Sequence, residues 1–275
     1  MNDYQAYLPI AVEATRRAGD AIRRQSPGTL SAKGDRDVVS ELDYAIERDL
    51  RTFLHAETPD IGFLGEEEGP SGSSSRRWVL DPIDGTSNYV RGLPLCAVSL
   101  ALVDGNEAVA GVIQLPFLSA TYTAASGGGA HVNGEPITIS GTTCMSQALV
   151  AIGDYAVGPG AETRNRLRFA LTSQLAAEVQ RIRMTGSAAL DLAWLAEGRL
   201  DAALTLSNHP WDMAAGVIIA REAGAVVTDG NGARHDITST MTLAVTPELT
   251  GPILAAYQKA AALVRTHVDL VKDEP

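Results

Sequence analysis

Residues 78–88 read Trp-Val-Leu-Asp-Pro-Ile-Asp-Gly-Thr-Ser-Asn, an apolar run that leads into two acidic residues and a Gly-Thr pair. The apolar run predicts a short buried strand. Asp81 and Asp84 lie three residues apart at its end, directly before Gly85 and Thr86. Because carboxylates beside a buried strand need a partner, this stretch predicts a site that holds a cation and also meets a phosphate.

Each residue type in this turn has a chemical use. Carboxylate oxygens are preferred ligands of hard cations such as Mg²⁺, which few carboxylates hold together with substrate phosphate. Pro82 has no backbone N–H, which predicts that the strand ends there and that the carbonyl of Ile83 is free as a third oxygen ligand. Gly85 lets the backbone approach a ligand, and the amide and hydroxyl of Thr86 can donate to an anion. The alternative is an Asp-rich turn that only caps a helix.

The composition narrows the class of protein. A chain of 275 residues with 45% hydrophobic content predicts a globular protein of one large domain or two modest ones. The net charge of -11 opposes nonspecific binding to nucleic acid or to an anionic membrane. An anionic substrate would therefore need local positive charge, most simply metal ions.

Neither thiols nor imidazoles predict a metal centre. Cys96 and Cys144 have no ligand spacing around them and are predicted to be small core residues. The five histidines show no ligand spacing to one another.

The sequence also predicts where the protein is located. The N-terminus lacks a basic region followed by an apolar core, and no run of 18 apolar residues occurs, so we expect a cytoplasmic protein without a membrane partner.

Two amphipathic helices are predicted near the N-terminus. Apolar spacings of three and four indicate one from about Tyr4 to Arg24. Ser40 is the predicted N-cap of the second, which Pro59 stops. A predominantly antiparallel sheet should follow, and Asn133-Gly134 gives a hairpin signal. Its predicted strands cover 61–64, 78–80, 95–103, 108–115 and 121–125.

Beyond about residue 142 predicted strands and helices alternate, which indicates α/β layers. We therefore expect an N-terminal α+β subdomain over residues 1–141 and a C-terminal α/β subdomain over residues 142–275. The predicted strands there cover 149–152, 179–183, 202–206 and 225–227, and the predicted helices cover 162–177, 188–196, 211–223 and 247–270.

An acidic run, Glu66-Glu67-Glu68, follows the predicted strand 61–64. Such a run is usually solvated surface. Its place after one strand, shortly before the strand that carries Asp81, favours an arrangement in which one of these glutamates faces the same site.

Other acids occur at predicted helix starts. Asp212 opens an apolar helix, where an acid can simply complement the helix dipole. Asp35, Asp37 and Asp43 lie around the start of the second helix, and Lys33 in the same segment is a residue type that could meet a phosphate.

Five segments together resemble the inositol monophosphatase family of Mg²⁺-dependent phosphomonoesterases. Their order and spacing match the family over nearly the whole chain, and the set is far more specific than any one segment. The segments are 37–43 (DVVSELD), 65–67 (GEE), 78–88 (WVLDPIDGTSN), 186–192 (GSAALDL) and 211–216 (WDMAAG). The resemblance implies the αβαβα layered α/β fold of sugar phosphatases, a homodimer, and sensitivity to lithium.

The resemblance also implies a ligand set for two or three Mg²⁺ ions. The N-terminal subdomain would carry most of the ligands, and the C-terminal subdomain would carry Asp212 and the substrate pocket wall. One ion would be held by Glu66, Asp81 and the Ile83 carbonyl, a second by Asp81, Asp84 and Asp212, and a weaker third by Glu66 with Glu67.

The same resemblance implies hydrolysis by metal-activated water in a direct in-line attack, without a covalent phosphoenzyme. Asp43 and Thr86 match the positions that, with Glu66, orient and activate this water. Gly85 and Thr86 match the phosphate-binding turn. The implied phosphate and substrate site comprises Asp84, Gly85, Thr86, Ser187, Ala188, Thr205 and Asp212.

One departure from the family bears on the substrate. In inositol-specific members the position seven before the Trp-Asp aspartate is commonly a glutamate that binds substrate hydroxyls, and here it is Thr205. A neutral, shorter side chain cannot make the same charge-assisted contacts.

Three interpretations therefore stay open. The first is a phosphatase of inositol 1-phosphate or a related polyol or sugar phosphate. The second is the same chemistry on histidinol phosphate or a nucleotide. The third is a regulatory or binding role, because some family members associate with transcription machinery.

Overall fold

The N-terminal helices begin where the sequence provides a cap or a proline. The computed structural model describes residues 3–34, 37–72 and 74–272, without the side chains of residues 3, 34, 37 and 266–272. Helix α1 spans Leu8–Arg24 and follows a 3-10 turn, so it starts later than predicted, with Pro9 in its first turn. Helix α2 spans Glu41–Glu57, and Ser40 with Asp43 forms the capping box at its start.

The described residues form seven α-helices and fifteen strands. The remaining helices are α3 (Thr86–Val90), α4 (Ala161–Glu178), α5 (Ala188–Ala196), α6 (Pro210–Glu222) and α7 (Thr250–Lys272). The strands are β1 (Leu30–Gly34), β2 (Asp37–Ser40), β3 (Gly62–Gly65), β4 (Gly69–Ser71), β5 (Arg76–Asp84), β6 (Ala97–Asp104), β7 (Glu107–Leu115), β8 (Ala120–Ala125), β9 (Ala130–Val132), β10 (Glu135–Ile137), β11 (Leu149–Ile152), β12 (Arg181–Arg183), β13 (Ala202–Thr205), β14 (Val226–Thr228) and β15 (Thr242–Val245).

Two large sheets organise these strands. The first has the order β10-β9-β8-β7-β6-β5-β3-β4 and is antiparallel except for the parallel pair β3 and β5. The second has the order β12-β11-β13-β15-β14, with β11 parallel to both β12 and β13. Strands β1 and β2 form a separate hairpin. The first sheet ends before residue 142 and the second begins after it, while the division into two subdomains stays a prediction.

Five layers result from how the helices cover the sheets. Helices α1 and α2 pack on one face of the first sheet, and α5 and α6 pack on its other face. The same α5 and α6 contact the second sheet, whose outer face is covered by α4 and α7. The predicted αβαβα fold is therefore confirmed.

Some local predictions differ from the structure. Strand β15 is absent from the predicted elements, although it pairs with both β13 and β14. Cys96 is buried, as predicted, but Cys144 is exposed, so its assignment to the core is wrong. The hairpin prediction is correct: Asn133 and Gly134 join β9 to β10 with φ angles of +51° and +87°. Among the described residues, no helix combines the length and the apolar character needed to cross a bilayer.

Candidate functional site

Strand β5 delivers its two aspartates through a β-bulge. The prediction that the strand ends at Pro82 is wrong, because it continues to Asp84. Its pairing with β6 shifts between Asp81 and Asp84, so that Pro82 and Ile83 lie opposite one residue, Val98. Pro82 has no backbone N–H to donate, and the bulge accommodates it because a bulged residue is left unpaired. The bulge also changes the direction of the chain. Asp81 Oδ1 accepts a 3.0 Å hydrogen bond from the Ile83 amide, which fixes this carboxylate at the bulge.

The turn after β5 requires glycine. Gly85 has a φ angle of +92° and precedes the short helix α3. A Cβ added at this position would lie 3.0 Å from the carbonyl oxygen of Leu95 and 3.2 Å from that of Gly186. Both the backbone conformation and the lack of space therefore exclude a side chain.

The partly buried Thr86 and the buried Asp43 form a hydrogen-bonded pair beside this turn. The Thr86 hydroxyl lies 3.1 Å from Asp43 Oδ1 and 3.0 Å from the carbonyl oxygen of Ile83. The other Asp43 oxygen accepts hydrogen bonds from the amide and hydroxyl of Ser40. Burial raises the pKa of Asp43 above its usual value, against these hydrogen bonds. Asp43 thus caps helix α2 and also contacts Thr86, while its catalytic role stays a prediction.

Asp84 is held at the start of helix α5. Its Oδ2 accepts hydrogen bonds from the Ser187 hydroxyl at 2.7 Å and from the Ala189 amide at 2.6 Å. Burial, together with the charge of Asp212, raises the pKa of Asp84 to about 7. The structure therefore places Ser187 against Asp84, and its predicted contact with substrate stays a prediction.

The acidic run forms the turn between β3 and β4. Lys33 on β1 donates to both acids, with Nζ 2.7 Å from Glu66 Oε1 and 2.6 Å from Glu67 Oε1. The backbone of Glu66 is tied to β5, since its amide donates to the Leu80 carbonyl. Burial raises the pKa of Glu67 to about 7, and its second oxygen is buried without a hydrogen-bond partner. The Glu66 backbone thus lies beside the end of β5, and the expectation that one of these glutamates faces the same site as Asp81 stays a prediction.

Glu47 positions this acidic turn, and sequence reasoning missed it. Its carboxylate is fully buried and accepts the amide of Glu67 at 2.8 Å, the amide of Glu68 at 3.0 Å, and Nη2 of Arg51 at 2.6 Å. A Cβ on Gly65 would overlap this carboxylate. The signal was available, because a glutamate within the buried stripe of an amphipathic helix needs a partner.

Asp212 enters the site from helix α6. Its carboxylate accepts a 2.9 Å hydrogen bond from the His209 amide, which completes a capping box, and the Trp211 carbonyl is tied to β6 through Ser99. Burial raises the pKa of Asp212 to about 7, against the His209 hydrogen bond, and the charge of Glu66 also raises it. The capping interpretation is therefore confirmed for this residue, and its role in the site stays a prediction.

The four acids from three segments share one electrostatic environment. Burial raises the pKa of Asp81 strongly, followed by the charges of Glu66, Asp84 and Asp212. Each of these four carboxylates has a protein partner here, and within the described ranges no three His, Cys, Asp or Glu side chains form a ready-made metal cage. The metal-ligand assignments of Glu66, Glu67, Asp81, Ile83, Asp84 and Asp212 therefore stay predictions.

Two of the remaining predicted residues lie at the start of α5 and at the end of β13. Ala188 is half-buried at the start of α5 and packs against the apolar core between α5 and the second sheet. Thr205 is half-buried at the end of β13. Asp191, whose pKa burial raises to about 8, accepts a 2.7 Å hydrogen bond from Thr185. Asp35 and the side chain of Asp37 lie outside the described part of the chain.

The raised pKa values give a stability prediction for the metal-free protein. Asp84 and Asp212 have ordinary values of 3.8 and folded-state values of about 7, so between these limits the folded state binds more protons than the unfolded state. The free energy of unfolding contributed by these groups should therefore fall as pH rises from about 4 to about 7. We expect Asp212→Asn to make this decrease shallower. Urea denaturation midpoints at about pH 5 and pH 7.5, with a chelator present, measure the effect; equal slopes for both proteins would contradict it.

Comparison with known proteins agrees with this architecture. The model of the inositol monophosphatase family matches residues 3–268. The chain belongs to the inositol monophosphatase family. Membership places it among phosphoric monoester hydrolases.

Relatives within the family carry several names. Inositol monophosphatase 1 of Solanum lycopersicum is 35% identical over 266 residues, covering 92% of this chain and 95% of the relative. A fructose-1,6-bisphosphatase/inositol-1-monophosphatase of Aquifex aeolicus is 34% identical over 254 residues, covering 86% and 95%. The crystal structure of the extragenic suppressor protein suhB from Bartonella henselae superposes with a TM-score of 0.86 at 34% identity, covering 92% of this chain and 99% of that one.

Proposed function

We propose that this chain is a Mg²⁺-dependent phosphomonoesterase of a small polyol or sugar phosphate, with inositol 1-phosphate as the first substrate to test. The observation that supports it most is the convergence of Glu66, Asp81, Asp84 and Asp212 beside the turn Gly85–Thr86. A binding site for an anionic phosphate would not surround that phosphate with acids alone. The arrangement is instead suited to cations placed between the acids and the phosphate.

The donor set fits Mg²⁺ on chemical grounds. All the candidate ligands are hard oxygens, from carboxylates and from the Ile83 carbonyl. Three of the acids, Glu67, Asp84 and Asp212, have pKa values raised to about 7, which a bound cation would lower again. Glu67 also has a buried oxygen without a hydrogen-bond partner. When bound, the ions would supply charge neutralisation for the phosphoryl group and for the attacking and leaving oxygens.

The protein's own groups would position the reactants. The Gly85–Thr86 turn allows close approach of the phosphate to the backbone, since only glycine fits there. Thr86 can donate its hydroxyl hydrogen to Asp43 while its oxygen accepts a hydrogen bond from the attacking water. Glu66 would orient the same water from the opposite segment. We expect most of the rate enhancement from such positioning, because phosphoryl transfer needs little covalent chemistry from the protein.

Phosphate release by the purified protein tests the proposed function directly. We expect Mg²⁺-dependent hydrolysis of inositol 1-phosphate, abolished by EDTA and restored by excess Mg²⁺. Released phosphate should be measured across a panel of inositol, histidinol, sugar and nucleotide monophosphates. Absence of Mg²⁺-dependent release from every member would contradict the proposed function.

Two alternatives keep specific support. The bifunctional name of the Aquifex relative favours including fructose 1,6-bisphosphate in the panel. The name of a Xylella fastidiosa relative, Nus factor SuhB, favours a regulatory role as the other alternative, although the complete acidic set opposes a pseudoenzyme. A homodimer, lithium inhibition and a cytoplasmic location stay predictions, which size-exclusion chromatography, inhibition by LiCl and cell fractionation would test.

A further inference from the structure

Thr205 lies where two parallel strands end side by side. Strands β11 and β13 pair with Ile152 opposite Leu204, and the Gly153 amide donates to the Leu204 carbonyl at 2.9 Å. The residues that follow β11, beginning with Gly153 and Asp154, therefore lie beside the end of β13. In α/β sheets, ligands bind in the crevice outside such carboxyl ends.

A buried arginine joins the segments that follow these two strands. Arg168 on α4 is only 5% exposed. Its Nε donates to the Asp154 carbonyl at 3.1 Å, and its Nη2 donates to the Ser207 hydroxyl at 2.7 Å. Within the described ranges it forms no salt bridge, and burial lowers its pKa. A planar guanidinium that bridges two segments fixes their separation in a way that a flexible ammonium cannot.

Arg168 binds the backbone carbonyl of Asp154, so the carboxylate of Asp154 is available to bind a ligand. The residue is exposed, and in the part of the chain that the structure describes its carboxylate accepts no hydrogen bond and forms no salt bridge. The preceding residue, Gly153, lies against Thr205, since a Cβ added at Gly153 would be 3.6 Å from Thr205 Cγ2. The Asp154 side chain therefore leaves the chain next to the end of β13, and its backbone is anchored by Arg168.

We propose that Asp154 is the specificity-determining residue that recognises substrate hydroxyls, in place of the acid that Thr205 lacks, and that Arg168 is its positioning residue. The inference rests on the proposed phosphatase function. The two oxygens of a carboxylate can accept from two neighbouring hydroxyls of a polyol, whereas Thr205 offers one neutral hydroxyl. In this proposal the negative charge that recognises the substrate is on Asp154, which follows β11, and not on the last residue of β13.

The test compares two substrates that differ in their hydroxyl groups. Inositol 1-phosphate carries hydroxyls on its alcohol, and p-nitrophenyl phosphate carries none. For Asp154→Asn we expect kcat/KM for inositol 1-phosphate to fall about tenfold or more relative to that for p-nitrophenyl phosphate, mostly through KM. For Arg168→Lys we expect the same ratio to change in the same direction by a smaller factor. Glu162→Gln, an exposed acid on α4 paired with Arg166, serves as the matched control and should leave the ratio unchanged.

The possible outcomes separate this inference from the proposed function. If the unmodified protein hydrolyses no phosphomonoester, both fail. Suppose that the unmodified protein hydrolyses both substrates. If Asp154→Asn then lowers kcat/KM for both by the same factor, or for neither, the inference fails and the proposed function stands. Thermal denaturation of Asp154→Asn should match the unmodified protein, because an exposed carboxylate without protein partners contributes little to the fold.

Discussion

Replacing Asp84 with asparagine should lower kcat/KM for phosphate release by about 10³-fold or more, while the protein stays folded. Asp84 ends strand β5 directly after the bulge, and burial together with the charge of Asp212 raises its pKa. The substitution removes the charge that would hold a cation against the phosphate, and loss of one preorganised electrostatic group costs about 10²- to 10³-fold in well-studied enzymes. The metal dependence of the reaction should add to this loss.

The fold should tolerate this change. An asparagine carbonyl can still accept from the Ser187 hydroxyl and the Ala189 amide, and neutralising a buried acid removes repulsion from Asp212. The measurement is steady-state phosphate release with a circular-dichroism melt of the same sample. Asp49→Asn, an exposed acid on α2, is the matched control. Full activity in Asp84→Asn would refute the assignment of Asp84 as a ligand.

Replacing Glu47 with glutamine should lower the free energy of unfolding by about 3 kcal/mol and should also raise the Mg²⁺ concentration needed for half-maximal activity. The loss of charge leaves Arg51 partly buried without its ion-pair partner, a change that costs about 3 to 5 kcal/mol in buried pairs. The new amide group also presents donors toward the backbone amides of Glu67 and Glu68. The acidic turn should then lose its fixed position.

A double-mutant cycle isolates this interaction. We expect Glu47→Gln and Arg51→Met to be non-additive in urea denaturation, because each removes the same ion pair. Glu57→Gln, an exposed glutamate at the end of the same helix, should behave like the unmodified protein. Additive effects, or an unchanged Mg²⁺ requirement in Glu47→Gln, would show that the Glu47 contacts do not position the turn.

Local sequence signals predicted individual elements well. Helix α5 has the predicted bounds, because Ser187 caps it and apolar residues fill it. Pro82 misled the prediction of strand β5, since a bulge can accommodate a proline inside a strand that is otherwise paired. Strand β15 was not predicted, because this four-residue segment is a strand through its pairing with β13 on one side and β14 on the other. Such pairing is not visible in the local sequence.

The donor atoms and charges that the proposed chemistry requires can be read from the sequence, because they are covalent properties of Glu66, Asp81, Asp84, Gly85, Thr86 and Asp212. Tertiary structure alone decided which of these groups meet and what holds them. Glu47 reaches the acidic turn across 20 residues, Ser187 reaches Asp84 across 103, and Arg168 joins two strand ends that are remote in sequence. Such contacts depend on the packing of layers around shared cores, which no local pattern encodes.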